Sequence, residues 1–400
     1  MGWAYITIWK VTQSPDLLAA AIACADALAA NVQPGNATAS PWPFRVHAKT
    51  GEVQEIYGAN TVWSTRLFDA LLSLPAAAAP AINPGKAATY MAARKMAWDW
   101  QMRFPMVNGN WCGYHEDIAT KQAWHDGVVG ELPCNYNSMT PLLLARHLLQ
   151  QRLEEITDAT MKDAHTLIAF VESHLIFWNV GDEGPGPSQP AVDWGARCVS
   201  EQKVDRDRMG RHTTRYASVL ALYADVLRRR SPGNLTAVLE SLQMAKLARY
   251  SWNWSSYCLT DEGIITVTPR NGEHDAWFTQ TSGFLLNTAE ALAAWPSWAP
   301  SNQTHFLRSD SVVTNMTYGT PEEPGLLLRY SVYSGPTLDR LRLASAVPTG
   351  RELSVTAGGI VLPLFDHCST PCTAWWRLNK PVGVLEVEHN GQAVVEVQLK

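Results

Sequence analysis

The hydrophobic pattern of the chain changes at the segment WPSWAP, residues 295–300. Before it, apolar residues recur every three or four positions, which is typical of amphipathic helices. After it, short β-branched runs are separated by Gly, Pro and Asn, which is typical of antiparallel strands. The pattern predicts a mainly α protein: a helical domain, residues 1–298, followed by a smaller antiparallel β domain, residues 299–400.

The helical domain is predicted from about eight amphipathic segments. Ser14 and Pro15 open the first, and both are favoured at a helix N-terminus. The predicted helices span residues 14–32, 59–75, 86–103, 139–152, 158–177, 213–230, 234–250 and 281–294. Sequential helices joined at one end form hairpins, and hairpins placed side by side can curl into a ring. We therefore expect an (α/α) toroid or incomplete toroid, whose long loops meet at one mouth.

The β domain contains six runs with strand character, namely SVVTNMTYG, GLLLRYSVY, LDRLRLASAV, LSVTAGGIVL, GVLEVEHN and AVVEVQLK. Asn390 and Gly391 stand between the last two runs, and Asn-Gly between apolar runs is a strong hairpin signal. The last two strands are therefore expected to form a hairpin.

The charge of the chain speaks against several partners. The formal net charge is -5 and 17% of the residues are charged, so a nucleic-acid or general membrane-surface role is not expected.

No apolar run is long enough for a transmembrane helix. The segment MGWAYITIWK lacks the charged leader and cleavage site of a signal peptide.

The seven cysteines are an odd set, so at least one is unpaired or bonded outside the chain. They lack the paired C-x-x-C spacing of a zinc site. Cys368 with Cys372 is the best disulfide candidate, and Cys112 with Cys134 is the second.

Five N-x-S/T sequons begin at Asn36, Asn234, Asn253, Asn302 and Asn315. They favour a protein that is secreted or in the secretory pathway of a eukaryote. A cytosolic protein with chance sequons is the alternative, because the motif is short.

The stretch DRMGRHTTRYASVLALY, residues 207–223, places cations at the start of an apolar helix. His212, Arg215 and Tyr216 lie at i, i+3 and i+4 and share one helix face. We expect them at the exposed end of that face, lining a cleft. Nearby arginines could bind a carboxylate through two parallel N–H···O hydrogen bonds. These are Arg206, Arg208 and Arg211.

The alternative for these arginines is pairing with acids close in sequence, namely Glu201, Asp205 and Asp207, with Tyr216 as a core residue. The residue types nevertheless fit one chemistry. Breakdown of a uronic acid by β-elimination needs a group that neutralises the C6 carboxylate, a base for the C5 proton and an acid for the leaving oxygen. Arg or Asn, His and Tyr supply these functions.

A second candidate surface is the segment NGNWCGYHEDIATKQAWHDGVVGELPCNYN. Loops of this length are uncommon unless functional or disordered, and this one is too aromatic for disorder. Amides can hold an anion or sugar hydroxyls, and rings can stack on a pyranose. The amides are Asn108, Asn110, Asn135 and Asn137, and the rings are Trp111, Tyr114, Trp124 and Tyr136. The alternative is that the tryptophans plug the ends of the ring of helices.

The same segment holds histidines and acids, namely His115, Glu116, Asp117, His125 and Asp126. Their spacing matches no strong ligand motif, so we predict no metal and no cofactor. The carboxylates could instead form an acid/base pair for glycoside hydrolysis.

A third candidate is NGEHDAWFTQ, in which His274, Asp275 and Trp277 precede a predicted helix. An acid at a helix start is often a cap, and a site role for Asp275 is the alternative. No G-x-S-x-G, P-loop or G-x-G-x-x-G motif supports a serine-hydrolase, nucleotide or dinucleotide function.

Helical hairpins with aromatic loops and a following β domain resemble the α/α-toroid carbohydrate-active proteins. These are polysaccharide lyases of the alginate, chondroitin and heparinase II/III type and the six-hairpin glycosidases. In the lyases an Asn or Arg neutralises the uronate, and His and Tyr act as base and acid. By this resemblance, Arg215, His212 and Tyr216 in RHTTRY would fill these roles, with Asn135 or Asn137 in CNYN as the amide.

We therefore expect a polysaccharide lyase that cleaves a uronate-containing glycan, with an acidic polysaccharide or oligosaccharide as partner. His212 or Tyr216 would remove the C5 proton, and Tyr216 would protonate the leaving oxygen. As a base, Tyr216 needs a pKa lowered by neighbouring arginines. The expected substrate-binding residues are Arg208, Arg211, Trp111, Tyr114, His115, Trp124, His125, Tyr136, Glu201, His274, Asp275 and Trp277.

Three alternatives stay open. A six-hairpin glycoside hydrolase would use two carboxylates among Glu116, Asp117, Asp126, Glu201 and Asp275. A uronyl C5-epimerase would share the abstraction of the C5 proton. A glycan-binding protein would have the same fold without chemistry.

Overall fold

The computed structural model describes residues 1–74, 81–112, 136–177, 197–203, 209–259, 279–298, 304–309, 313–319, 325–332, 337–343, 352–365, 374–379, 383–389 and 393–399. The chain divides into two compact units. The helical unit contains residues 1–4 and 19–291, and the β unit contains residues 5–18 and 292–400. The coarse prediction of a helical part followed by a separate antiparallel β region is confirmed. The boundary at 298/299 stays a prediction.

The described helices are α1 Gly2–Thr12, α2 Pro15–Ala30, α3 Val62–Leu72, α4 Pro84–Arg103, α5 Pro105–Asn108, α6 Met139–Leu149, α7 Asp158–His174, α8 Gly210–Arg230, α9 Leu235–Ser255 and α10 Thr279–Ala294. Two short antiparallel ladders lie among them. One pairs β1 Arg45–Val46 with β2 Val53–Glu55, and the other pairs β3 Ile176–Phe177 with β4 Cys198–Val199. Within these described residues, no helix combines the length and apolar composition that a bilayer crossing requires.

Side-chain caps fix where several helices begin. The Asn83 side chain accepts a hydrogen bond from the backbone N–H of Lys86 at 2.9 Å, and Pro84 occupies the first turn of α4. Thr157 and Thr160 form a reciprocal capping box at the start of α7. Such caps satisfy N–H groups that have no partner inside the helix.

Helix α8 is the central helix of the helical unit. Nearly every side chain from Gly210 to Val226 is buried, because α8 packs against α6, α7 and α9. The single apolar stripe of this sequence predicts a helix that buries one face. In the structure α8 is buried on several faces. Its polar residues therefore need partners inside the protein.

The described strands of the β unit are β5 His305–Ser309, β6 Val313–Tyr318, β7 Leu326–Val332, β8 Thr337–Arg342, β9 Leu353–Ala357, β10 Ile360–Val361, β11 Trp375–Asn379, β12 Val384–His389 and β13 Ala393–Leu399. They form a sheet in the order β10-β9-β13-β7-β6 and a sheet in the order β11-β12-β8-β5. Every pairing in these two sheets is antiparallel. Side chains of both sheets share one apolar core, with Leu328, Val395, Leu341 and Leu385 among its buried members.

The predicted hairpin at Asn390–Gly391 is wrong. Strand β12 pairs with β8 and β11, whereas β13 pairs with β7 and β9 in the other sheet. The connection joins two layers because each strand buries its apolar face in the core shared by both sheets. An Asn-Gly pair marks a change of direction, and tertiary packing decides which strands then pair.

Asp339 lies fully buried in the β unit with three hydrogen-bond donors around it. Its carboxylate accepts from the Tyr330 hydroxyl at 2.8 Å, from the Thr337 hydroxyl at 3.1 Å and from His389 Nε2 at 3.0 Å. Burial, and then the charge of Asp339, raises the pKa of Tyr330 well above its usual value. These donors compensate the desolvation of the carboxylate.

Tyr330→Phe should lower the free energy of unfolding by about 1–3 kcal/mol, because it removes a donor from a buried charged acceptor. Urea denaturation measures this change. Tyr318→Phe is the matched control, because Tyr318 is 41% exposed and should change stability by less than about 0.5 kcal/mol. Equal losses in both variants would contradict the assignment.

Candidate functional site

The start of α8 brings together three separate stretches of the chain. His212 Nδ1 lies 3.0 Å from the Ser138 hydroxyl, just before α6. His212 Nε2 lies 3.4 Å from a carboxylate oxygen of Glu201, which follows β4. We call this end of the helix, with the side chains that contact it, the α8 entrance.

His212 is an uncharged base at neutral pH. Its side chain is fully buried, and this desolvation lowers the pKa of the imidazole. Glu201 raises the pKa, while Arg215 and Arg211 lower it further. The imidazole is therefore neutral and able to accept a proton. Its two nitrogens face the Ser138 hydroxyl and the Glu201 carboxylate.

Tyr216 lies one turn further along α8, in a different set of contacts. Its hydroxyl donates to Glu172 Oε1 at 2.5 Å and accepts from Arg197 Nη1 at 3.0 Å, while Arg197 also pairs with Glu172. Burial, and then the charge of Glu172, raises the pKa of Tyr216 well above its usual value, and Arg197 opposes this only in part. The expectation that neighbouring cations bring this pKa below its usual value is wrong, because burial and Glu172 outweigh Arg197, and Tyr216 is kept protonated.

The expected cleft position of His212, Arg215 and Tyr216 is also wrong. All three side chains are at most 5% exposed. Residues 136–138, residues 197–203, α7 and α10 pack around this end of α8, so in the part of the chain that the structure describes these three side chains are covered. The residues share a turn of helix, as predicted, but their partners lie in different directions.

Arg211 is the half-buried cation of the α8 entrance. It lies against Gly283 of α10, where a Cβ atom would come within 2.7 Å of Arg211 Nε. The Asn287 side chain donates to the Arg211 carbonyl oxygen at 3.4 Å and to the Thr214 hydroxyl at 3.3 Å. The absence of a side chain at Gly283 thus lets α10 approach the α8 entrance closely.

Asn137 is the candidate catalytic amide that lies within the described residues, and its side chain makes structural hydrogen bonds. Its Nδ2 donates to the Trp111 carbonyl oxygen at 3.0 Å, and its Oδ1 accepts from the Thr140 N–H at 2.9 Å. Trp111 is 1% exposed, as expected of a tryptophan that fills the interior. Tyr136 is half-buried, with its ring 5.3 Å from the rings of Phe170 and His174.

The remaining predicted site residues lie outside the described residues. They are Tyr114, His115, Trp124, His125, Asn135, Arg208, His274, Asp275 and Trp277, with the candidate acids Glu116, Asp117 and Asp126. Their roles stay predictions.

Sequence reasoning missed Ser138, Glu172 and Arg197. Ser138 directly follows CNYN, and its closeness to the predicted amides was an available signal. Glu172 interrupts an apolar helical pattern, which is a weak sign of a buried partner. Arg197 has no local signal, because its contacts with Glu172 and Tyr216 depend on the tertiary fold.

The cysteines partly agree with expectation. Cys24 has a free thiol, which confirms that at least one cysteine is unpaired. Cys112 is disulfide-bonded, and its partner lies outside the described residues. Burial raises the pKa of Cys258 to about 12, so its thiol is not activated. Among the described residues, no group of three or more His, Cys, Asp or Glu side chains is arranged to hold a metal ion.

No protein-family model matches this chain, and no curated protein is significantly similar to it.

His212 should make stability depend on pH. Its pKa is lower in the folded protein than the unfolded value of about 6.5, so the unfolded chain binds a proton more readily. The free energy of unfolding should therefore fall as the pH decreases below about 6.5. His212→Asn should make this dependence shallower, measured by urea denaturation between neutral and mildly acidic pH.

Ser218→Ala is the matched control for this titration. Ser218 is buried in the same helix and does not titrate, so the variant should lower stability without changing its slope against pH. An unchanged slope in His212→Asn would show that His212 is not held uncharged.

Proposed function

We propose that the protein is a polysaccharide lyase that cleaves a uronate-containing glycan by β-elimination. The observation that carries the proposal is the α8 entrance, where an uncharged His212 and a protonated Tyr216 lie on successive turns beside Arg211 and Arg215. These are the base, the acid and the cations that the reaction needs.

The protonation states assign the roles. His212 takes the C5 proton of the uronate, because its lowered pKa keeps the imidazole free to accept it. Tyr216 gives its proton to the leaving oxygen, because its raised pKa keeps the phenol protonated. The C5–H and C4–O bonds break and a C4–C5 double bond forms. Arg211 and Arg215 neutralise the carboxylate, which stabilises the charge that develops when the proton leaves.

Because His212 and Tyr216 are buried, the proposed function requires that a saccharide gain access to them. A sugar can reach His212 and Tyr216 only if side chains around the α8 entrance move. Arg211 and Tyr136 are half-buried side chains of this region, and the proposal requires that such side chains move when a saccharide binds.

We propose further that the helical unit is an (α/α) toroid or incomplete toroid. Packing of α3 against α4, of α6 against α7 and of α8 against α9 supports helical hairpins. This arrangement, followed by antiparallel sheets, resembles the lyases that combine a toroid with a β region.

A glycoside hydrolase is the second candidate function, favoured by one observation. Glu201 and Glu172 approach His212 and Tyr216, so two carboxylates lie around the α8 entrance. Hydrolysis by paired carboxylates requires such groups on both sides of the scissile bond. Hydrolysis releases reducing ends without the unsaturated uronate that a lyase produces.

The test is incubation with a panel of uronate polymers, followed by ultraviolet absorbance of the unsaturated product. Wild-type protein should produce this signal, and His212→Asn and Tyr216→Phe should each lower kcat by about 10²–10⁴-fold. His165→Asn, at an exposed position on α7, is the control and should keep full activity.

Each rival function has its own outcome. Reducing ends without ultraviolet absorbance indicate hydrolysis. Entry of solvent deuterium at C5 of an uncleaved polymer indicates an epimerase. Binding without turnover, unchanged in Tyr216→Phe, indicates a glycan-binding protein. Any of these three results in place of the unsaturated product would refute the lyase proposal.

A further inference from the structure

A cluster of arginines and tryptophans lies elsewhere in the helical unit, away from every predicted motif. Arg66 and Asp69 come from α3, Arg94 comes from α4, and Arg146 and Glu290 come from α6 and α10. The cluster also contains three aromatic side chains and one imidazole. These are Trp3, Trp63, Trp98 and His147.

Two of the three arginines have direct carboxylate partners. Arg94 donates to both oxygens of Asp69, at 2.9 and 3.3 Å. Arg146 pairs with Glu290 at 2.7 Å and also donates to Asn287 at 2.7 Å. Each carboxylate of the cluster is thus already held by an arginine.

Arg66 is bound differently. Its guanidinium carbon lies 4.5 Å from the ring centre of Trp3 and 5.4 Å from that of Trp63. Among the residues that the structure describes, no carboxylate lies within ion-pair distance of this guanidinium and no acceptor is hydrogen-bonded to it. Stacking on the indoles covers the faces of the guanidinium and leaves its N–H edges for another group.

The charges of Arg94 and Arg146 are matched by those of Asp69 and Glu290, so the excess positive charge of the cluster is that of Arg66 itself. Burial, and then the nearby charge of Arg146, lowers the pKa of Arg66. Burial also lowers the pKa of His147 to about 4, so this imidazole is uncharged at neutral pH. Three guanidinium groups therefore face the carboxylates of Asp69 and Glu290, which leaves an excess of positive charge in a chain whose net charge is -5.

We infer that Arg66 is the centre of an oxyanion subsite, which binds a carboxylate or sulfate group of an acidic saccharide. The anion accepts hydrogen bonds from the N–H edge of Arg66 and is further attracted by Arg146. The indoles beside it offer apolar surface to the sugar ring.

The subsite is connected to the α8 entrance through Asn287. The Asn287 amide contacts Arg146 through its oxygen and Thr214 through its nitrogen. Asn287 is buried, so it links the two regions through protein contacts. In taking a saccharide as the ligand, the inference rests on the proposed function, but binding at Arg66 does not require turnover.

The experiment is calorimetric titration with acidic trisaccharides of galacturonate, glucuronate, mannuronate and guluronate, each paired with its uncharged methyl ester. His212→Asn is the parent protein, so that cleavage does not interfere. Arg66→Gln should weaken the binding of the preferred acid form by about tenfold or more, because it removes charged hydrogen bonds. Arg66→Lys should be intermediate, because it keeps the charge but not the paired donors.

Arg103→Gln is the matched control. Arg103 also stacks on an aromatic ring, with its guanidinium carbon 5.3 Å from the ring centre of Phe104, but it lies outside the cluster. Circular dichroism and the Tm of each variant establish that it is folded. Added sodium sulfate should compete with the acid trisaccharide in the parent and much less in Arg66→Gln.

Equal binding in Arg66→Gln and Arg103→Gln would overturn the inference, as would equal binding of acid and ester forms or binding of none of the acids. These outcomes are separate from the fate of the lyase proposal. Arg66-dependent binding without turnover by the wild type supports the subsite and refutes the lyase. Turnover combined with unchanged binding in Arg66→Gln supports the lyase and refutes the subsite.

Discussion

Helix α8 is buried together with its polar residues, and the organisation of the helical unit follows from this constraint. A buried imidazole, phenol or guanidinium must find partners, because water is excluded from it. His212 is met by Ser138 and Glu201, and Tyr216 is met by Glu172 and Arg197. Segments far apart in the chain are thereby held at one end of the helix.

The same burial separates the protonation states of the two candidate catalytic groups. Loss of water disfavours the charged form of each, which is the cation for His212 and the phenolate for Tyr216. The nearby carboxylates do not reverse this effect at either residue. One end of a helix thus holds an uncharged base and a protonated acid at the same pH. These contacts also stabilise the fold, because they satisfy polar groups that are buried in the helical unit.

Much of the fold was predictable from local pattern. The long helices precede residues 295–300 and the two large sheets follow them, as the hydrophobic pattern predicted, because hydrophobic period depends on local sequence. Strands β5 and β11 were missed, since neither has a distinctive alternating run. The Asn390–Gly391 hairpin failed because strand pairing is settled by the shared core of two sheets.

The site was less predictable for the same reason. The spacing of His212, Arg215 and Tyr216 placed them together, but spacing contains no information on burial or on the sign of a pKa shift. The direction for Tyr216 depends on Glu172, which lies in α7. Arg66 was not singled out either, because only Trp63 and Asp69 lie near it in sequence, whereas Trp3, Arg94, Arg146 and Glu290 come from other helices. Tertiary contacts of this kind become visible only in the folded protein.

A crystal structure of His212→Asn with a bound acidic oligosaccharide tests the central claim most directly. The account predicts a uronate carboxylate in hydrogen-bond contact with Arg211 or Arg215, and the sugar C5 next to the position of the replaced imidazole. An oligosaccharide bound only elsewhere, with the α8 entrance as buried as in the free protein, would contradict it.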